Sequence, residues 1–383
     1  MGTDARLIRL NDFLISQELD AYLITQTSDI RWVTGFEHVF DFESAHALLV
    51  SSTRLTSTAL RLLHTDARYF GAMKPKSAGV LDLLDEQRIS HIAFVAEQLK
   101  AIRQGQTAGG SSRQLRIGVE AELPLLTYRA LRKGLDEAGF EQAELVEITA
   151  GIKTLRAVKD AEEIAALQGA QAITDATLVH MLEYLHAGLS EAEAALELEF
   201  SLRRNGSEGV AFAPILASGP NSAIPHHHPS QRLLQNGDYV LMDFGARLND
   251  YCSDMTRTVV LGAASERQKQ VYDTVLNAQL SVLGQLKAGV ANTAPQAAVD
   301  QIFATAGFGP LSHGLGHGVG IDIHEAPVLS PLAGDPLAVG NVVTVEPGIY
   351  LEDWGGVRIE DFGAITADGF NNFTHSSKQL IEL

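Results

Sequence analysis

Residues 239–261 read YVLMDFGARLNDYCSDMTRTVVL, two β-prone runs on either side of a polar segment at Leu248–Asp250. A two-residue turn there pairs odd with even positions, so Asp243 and Asp254 project from one face of the ladder as opposite or diagonal neighbours. Aspartate is depleted in strands, and like charges facing each other across a ladder destabilise it. The pattern recurs at 341–366, NVVTVEPGIYLEDWGGVRIEDFGAIT, where two apolar strands flank EDWGG and carry Glu346 and Glu360. Any one of these acids could be an exposed residue or half of an ion pair with Arg257 or Arg358. Four acids in strand interiors ask for a common explanation.

Helical periodicity surrounds the hairpins. A helix from about Asp160 to His186 places Ile164, Leu167, Ile173, Leu178 and Leu182 on a 3.6-residue repeat. A second opens on Ser190 and Glu193 as a capping box and ends at Asn205-Gly206. A third runs from about Arg267 to Lys287 and stops at Gly289, and Pro295 starts a fourth. These elements predict an α+β domain with helices covering one side of a curved, mostly antiparallel sheet. Upstream, a helix in ARLIRLNDFLISQELD and short strands in AYLIT, HALLVSS, HIAFVAEQL and RIGVEAEL predict an α/β domain, with a Gly/Ser-rich loop at 106–114. The expected domains are 1–151 and 152–383.

Residues 313–325, HGLGHGVGIDIHE, thread His313, His317 and His324 through four glycines. A spacing of four would put His313 and His317 on one helical face, but each glycine weakens a helix by roughly 1 kcal/mol. Strand or loop fits better, with glycines where other groups approach closely. A surface loop with solvated histidines is the bland alternative.

The formal charge of −18 would repel a phosphate backbone or an anionic membrane, and no basic run offsets it, so neither nucleic acid nor membrane is an expected partner. Cys252 is the one cysteine, which fits a reducing compartment. The opening MGTDARLIRLNDFL carries charges through what would be the apolar core of a signal peptide, so a cytoplasmic protein is expected.

Four carboxylates and one central imidazole, with no thiolate, describe a site for Mn²⁺, with Co²⁺, Zn²⁺ and Fe²⁺ also suitable. Five ligands exceed the three of a catalytic mononuclear zinc site, so two ions balanced by four negative charges fit better. Such a pair activates water as a nucleophile.

With ASGPNSAIPHHHP, LMDFGA, YCSDMTRT, HGLGHGVGIDIHE, TVEPGIY and GGVRIED in this order, the chain resembles the metallopeptidase family containing prolidase (Xaa-Pro dipeptidase), Xaa-Pro aminopeptidase and methionine aminopeptidase, together with metal-free creatinase. The resemblance implies a pita-bread catalytic domain made of two pseudo-symmetric halves. LDAYLIT, RWVTGF, TDARY and the linker LRAVKDAEEI resemble the creatinase-type first domain, which methionine aminopeptidases lack. It implies Asp243, Asp254, His317, Glu346 and Glu360 as ligands of two divalent ions. His226, His313 and His324 would face the substrate, Glu346 would carry a proton, and Arg358 would stand behind Glu360. His227 and His228 read as solvated loop positions.

The implied reaction is hydrolysis of the bond preceding proline, with Xaa-Pro dipeptides as the expected substrates, longer Xaa-Pro peptides as the alternative and a homodimer as the usual assembly. A creatinase-like amidinohydrolase or a binding-only relative would be expected to have lost metal ligands, and this chain keeps all five candidates. One departure stands out. Residues 326–345 hold no basic residue, where many prolidases carry an arginine for the dipeptide's carboxylate. Arg31 and Lys74 are candidate substitutes.

Overall fold

The computed structural model describes every residue except 1, 42, 44, 106–113 and 333. The Gly/Ser-rich loop expected at 106–114 therefore lies, but for its last residue, outside the described residues. The chain divides into two compact units, Met1–Leu155 and Arg156–Leu383.

The first unit is built on a six-stranded mixed sheet, in the order Leu83–Asp85, Leu60–Thr65, His46–Ser51, Ala21–Ile24, Arg116–Glu120 and Glu144–Ile148. The expected strand in HIAFVAEQL is instead the start of a helix, His91–Gly105. Alanine, leucine, glutamate, glutamine and lysine favour helix, and Phe94, Val95 and Leu99 come onto one buried face. That face packs with Leu23, Leu49, Val119, Leu131 and Leu135 in the unit's core. Arg31 is buried and lies 3.5 Å from Glu37, while the Lys74 ammonium sits 5.7 Å from the Phe70 ring.

The second unit repeats one plan twice: two helices, then one strand in the first half and two in the second, then an acid-bearing hairpin. In the first half, helices Ala161–Tyr184 and Glu191–Arg204 precede strand Ile215–Ser218 and the hairpin strands Tyr239–Phe244 and Met255–Val260. Both helices begin with capping boxes, Asp160 with Glu163 and Ser190 with Glu193. In the second half, helices Glu266–Leu283 and Ala294–Thr305 precede strands Gly316–Gly318 and Glu325–Leu329 and the hairpin carrying Val342–Val345 and Asp361–Ile365. The third helix ends four residues earlier than its periodicity predicts. Gly284 caps it, and the chain folds back to bury Leu286.

All pairings in the two main sheets of this unit are antiparallel. Helical residues Leu178, Met181, Leu198 and Leu202 cover Val240, Met242 and Val259 in the first half. Val271, Val275, Val299 and Phe303 cover Val343, Val345 and Ile365 in the second. Truncating a side chain as buried as Phe303 (1% exposed) costs about 3–5 kcal/mol. The other face of each hairpin is left to its acids. Among the described residues, no helix is long and apolar enough to cross a membrane.

Candidate metal centre

The first hairpin turns at Asn249 and Asp250, both with positive φ (51° and 66°), the two-residue turn whose twist matches a hairpin. Its register pairs Leu248 with Tyr251 and Asp243 with Thr256. Asp254, two residues from Thr256, is thus the diagonal neighbour of Asp243 on the same face. Between them Gly245 lets the strands pinch together, since a Cβ there would collide with the carbonyl of Ser253. In the second hairpin Val345 pairs with Asp361 and Gly348 with Arg358. One register runs through both ladder segments, so Glu346 and Glu360 oppose each other at the break between them.

The two hairpins meet over a cavity of about 670 Å³ lined by His226, Asp243, Asp254, His313, His317, His324, Glu346, Arg358 and Glu360. All five expected metal ligands and His226, His313, His324 and Arg358 are on this wall, whereas Arg31 and Lys74, the candidates for the substrate carboxylate, are not among its lining residues. Ligand atoms of Asp254, His317 and Glu360 all lie within 4.8 Å of one another. His317 Nδ1 faces its neighbour's carbonyl, Gly318 O, at 3.1 Å, so Nδ1 carries the proton and Nε2 presents a lone pair. That lone pair is 3.5 Å from both Asp254 Oδ2 and Glu346 Oε1. A lone pair facing two carboxylates calls for a cation among them.

The carboxyl groups carry the same message. Burial, then repulsion from Glu360, Asp243 and Glu346, holds Asp254 far above the ordinary carboxylate range. Burial and the charges of Glu346 and Asp243 do the same to Glu360. Glu346 is pushed up to about 8 by burial and by Asp243, against the pull of Arg358. Burial, with His324 beside it, brings His317 down to about 4, which keeps the imidazole neutral. Asp243 Oδ1 is buried without a hydrogen-bond partner, an omission that costs free energy unless a ligand fills it. Oxygen and nitrogen donors of this kind fit divalent cations.

Arg358 departs from expectation in its partner. Its Nη2 donates to Asp243 Oδ2 at 2.7 Å, and it reaches Glu360 through Thr256: Arg358 Nε donates to Thr256 Oγ1 at 3.0 Å, which donates to Glu360 Oε2 at 2.8 Å. Arg257 reaches none of the four carboxylates: it donates to the Glu360 backbone carbonyl and pairs with Asp361 at 2.8 Å. Arg358 Nη1 also donates to Tyr350 Oη at 3.0 Å, which lies 2.9 Å from His313 Nε2. His313 Nδ1 faces Gly314 O at 2.8 Å, so the tyrosine hydroxyl donates to Nε2. Thr256 and Tyr350 gave no sequence signal, because both are ordinary strand residues.

The glycines of 313–325 are places of close approach. A Cβ on Gly316 would collide with the Thr344 carbonyl, on Gly318 with the Ala326 carbonyl, and on Gly320 with the Glu325 carboxylate. Glu325, next to His324, is itself clamped by Lys159 Nζ at 2.9 Å and by Arg156 Nη2. His227 is not the solvated position expected of it. Its Nε2 donates to the buried carboxylate of Glu191 at 2.8 Å, because the loop folds back onto the start of helix Glu191–Arg204. His228 is exposed.

Comparisons with known proteins agree with this geometry. The metallopeptidase family M24 model matches residues 165–367, and the creatinase/prolidase N-terminal domain model matches 6–158. An uncharacterized peptidase of Bacillus subtilis is 34% identical over 379 residues, covering 99% of this chain and 100% of that protein. A solved Xaa-Pro dipeptidase from Bacillus anthracis superposes with a TM-score of 0.88 at 33% identity, covering all of both chains. An X-Pro aminopeptidase structure from Thermotoga maritima gives 0.81 at 30% identity, covering 96% of this chain and 98% of that one. The chain belongs to metallopeptidase family M24, with a creatinase/prolidase-type N-terminal domain joined to a pita-bread catalytic unit.

Proposed function

We propose that this metallopeptidase cleaves the peptide bond preceding proline, with Xaa-Pro dipeptides as first substrates. Asp243, Asp254, His317, Glu346 and Glu360 would hold two divalent ions, Mn²⁺ before Co²⁺ or Zn²⁺, since the donors include no thiolate. The supporting observation is the convergence of four carboxylates and His317 on one cavity, with Asp254 Oδ2 and Glu346 Oε1 each 3.5 Å from His317 Nε2. A cytoplasmic homodimer belongs to the same reading, by similarity to two-domain prolidases.

When bound, the ions would act as Lewis acids on the scissile carbonyl and generate the nucleophile from water. The remaining work falls to side chains. His324 and His226 donate hydrogen bonds to charge developing on the scissile carbonyl oxygen. Glu346 carries a proton to the leaving proline nitrogen. His313, fixed by Gly314 O and Tyr350 Oη, bounds the substrate on the other side.

One observation favours longer peptides as a second reading. Arg358 is the one lysine or arginine among the residues lining the cavity, and it is buried against Asp243, Tyr350 and Thr256. A dipeptide's carboxylate buried without a cation costs several kcal/mol. The deciding experiment measures metal content alongside kcat/KM for Leu-Pro, Leu-Pro-amide and Leu-Pro-Gly. A strong preference for the free acid supports the dipeptidase, whereas equal or faster cleavage of the amide and tripeptide makes this an aminopeptidase. Cleavage of none of them by protein loaded with two ions per chain would sink both readings.

A further inference from the structure

The geometry points to Glu191 and His227 as positioning residues that fix His226 in the cavity, a role that rests on the reading of His226 as a donor to the scissile carbonyl. Glu191 is the first residue of helix Glu191–Arg204, and its side chain is fully buried. Its partners all come from one loop, residues 218–230, SGPNSAIPHHHPS. Oε1 accepts from Ser218 N at 2.8 Å, Ser218 Oγ at 2.7 Å and Asn221 Nδ2 at 3.0 Å. Oε2 accepts from His227 Nε2 at 2.8 Å, Ser230 N at 3.0 Å and Ser230 Oγ at 2.6 Å, with Asn221 Nδ2 at 3.2 Å.

A helix needs no such carboxylate at its first position, because the Ser190 and Glu193 capping box already serves that end. Burying it would be costly without these donors. Burial alone would raise its pKa, but hydrogen bonds from Ser230, His227, Asn221 and Ser218 outweigh that and hold it at about 2. The carboxylate is therefore ionised and saturated, and what it organises is the loop.

His226 sits between two anchors. Before it, Pro225 O accepts from Arg358 Nη1 at 3.5 Å, the weaker of the two. After it, His227 donates to Glu191. His226 itself lines the cavity and is exposed, so its own side chain does little to hold it there. A displacement of about 1 Å at a reacting centre is enough for a roughly 10²-fold loss.

The test is a double-mutant cycle on the Mn²⁺-loaded enzyme, with the Xaa-Pro peptide it cleaves fastest. Glu191→Gln, which turns a donor toward donors, is expected to lower kcat about 10–100-fold with KM and metal content near normal. In a His226→Ala background the same change should lower kcat by less than about twofold. A full, multiplicative loss in that background would make Glu191 merely structural and overturn the inference. An unchanged kcat in His226→Ala alone would remove the reading on which it rests. Should Glu191→Gln fail to fold, His227→Leu replaces it in the cycle, and His227→Gln, which keeps a donor, should recover most of the activity; equal loss in both overturns the assignment. The downfield imidazole N–H proton signal of His227 provides an independent readout. It should vanish in Glu191→Gln and persist in His226→Ala.

Discussion

Asp254 has little reason to exist without a cation: it is buried, and three other acids raise its cost of ionisation. Asp254→Asn is accordingly expected to lose bound metal and with it nearly all hydrolysis, while the first unit unfolds as before. Elemental analysis beside the rate decides, and an active variant with full metal content would refute the ligand role. His324 makes the opposite forecast. If it donates to the transition state, His324→Ala lowers kcat by about 10²-fold or more with metal content intact. Loss of metal in that variant would turn His324 into a ligand. Asp254 was legible because an acid beside β-prone runs demands a reason, whereas His324 was singled out by the family resemblance of HGLGHGVGIDIHE. Thr256, Tyr350 and Glu191 were not, because each is an ordinary residue where it stands and becomes functional only through a partner distant in sequence.

The loop that carries His317 and His324 is held by an element remote in sequence. Arg156 lies in the last turn of helix Gly151–Ala157, Lys159 follows the helix, and Lys159 N donates to Gly340 O at 2.8 Å. Together they clamp Glu325, whose carboxylate fills the space a side chain on Gly320 would need. Burial would raise the Glu325 pKa, yet Lys159 and Arg156 bring it from 4.5 down to about 2. A depressed carboxyl contributes stability above its unfolded value and loses it as pH falls through its folded one. The contribution is about 3 kcal/mol, shed between about pH 4.5 and 2. Urea unfolding across that window should show the wild type losing its advantage over Glu325→Gln as pH drops, and a constant gap would contradict the clamp. The sequence showed no sign of the clamp beyond the resemblance of the linker LRAVKDAEEI to the family's. Local pattern served well where a cap was explicit, as at Ser190, and where periodicity was long, as from Asp160. It failed at His91–Gly105, where a short apolar run could be strand or helix and packing on the sheet decided.

At the scale of the molecule, the proposed centre joins two structural repeats. Asp243 and Asp254 come from the hairpin of the first half of the catalytic unit, and His317, Glu346 and Glu360 come from the second. Neither half alone supplies a complete donor set. Ions bound between them would bind the folded unit and not the unfolded chain, so their affinity appears as stability. At free metal about a hundredfold above Kd the gain is about 2.7 kcal/mol per site. For a unit the size of Arg156–Leu383, each kcal/mol moves Tm by about 2–4 °C. Calorimetry with chelator and with Mn²⁺ should therefore separate the two units. The transition of Arg156–Leu383 is expected to rise by about 5–10 °C on metal binding for one site and further for two, while that of Met1–Leu155 stays in place. Asp254→Asn should abolish the shift without lowering the chelated Tm, because burial and its acidic neighbours already disfavour charge on Asp254 in the metal-free protein, and the neutral amide keeps its shape. A metal-independent Tm for the catalytic unit would mean that no ion binds the folded unit in preference to the unfolded chain, and the two-ion centre would fall with it.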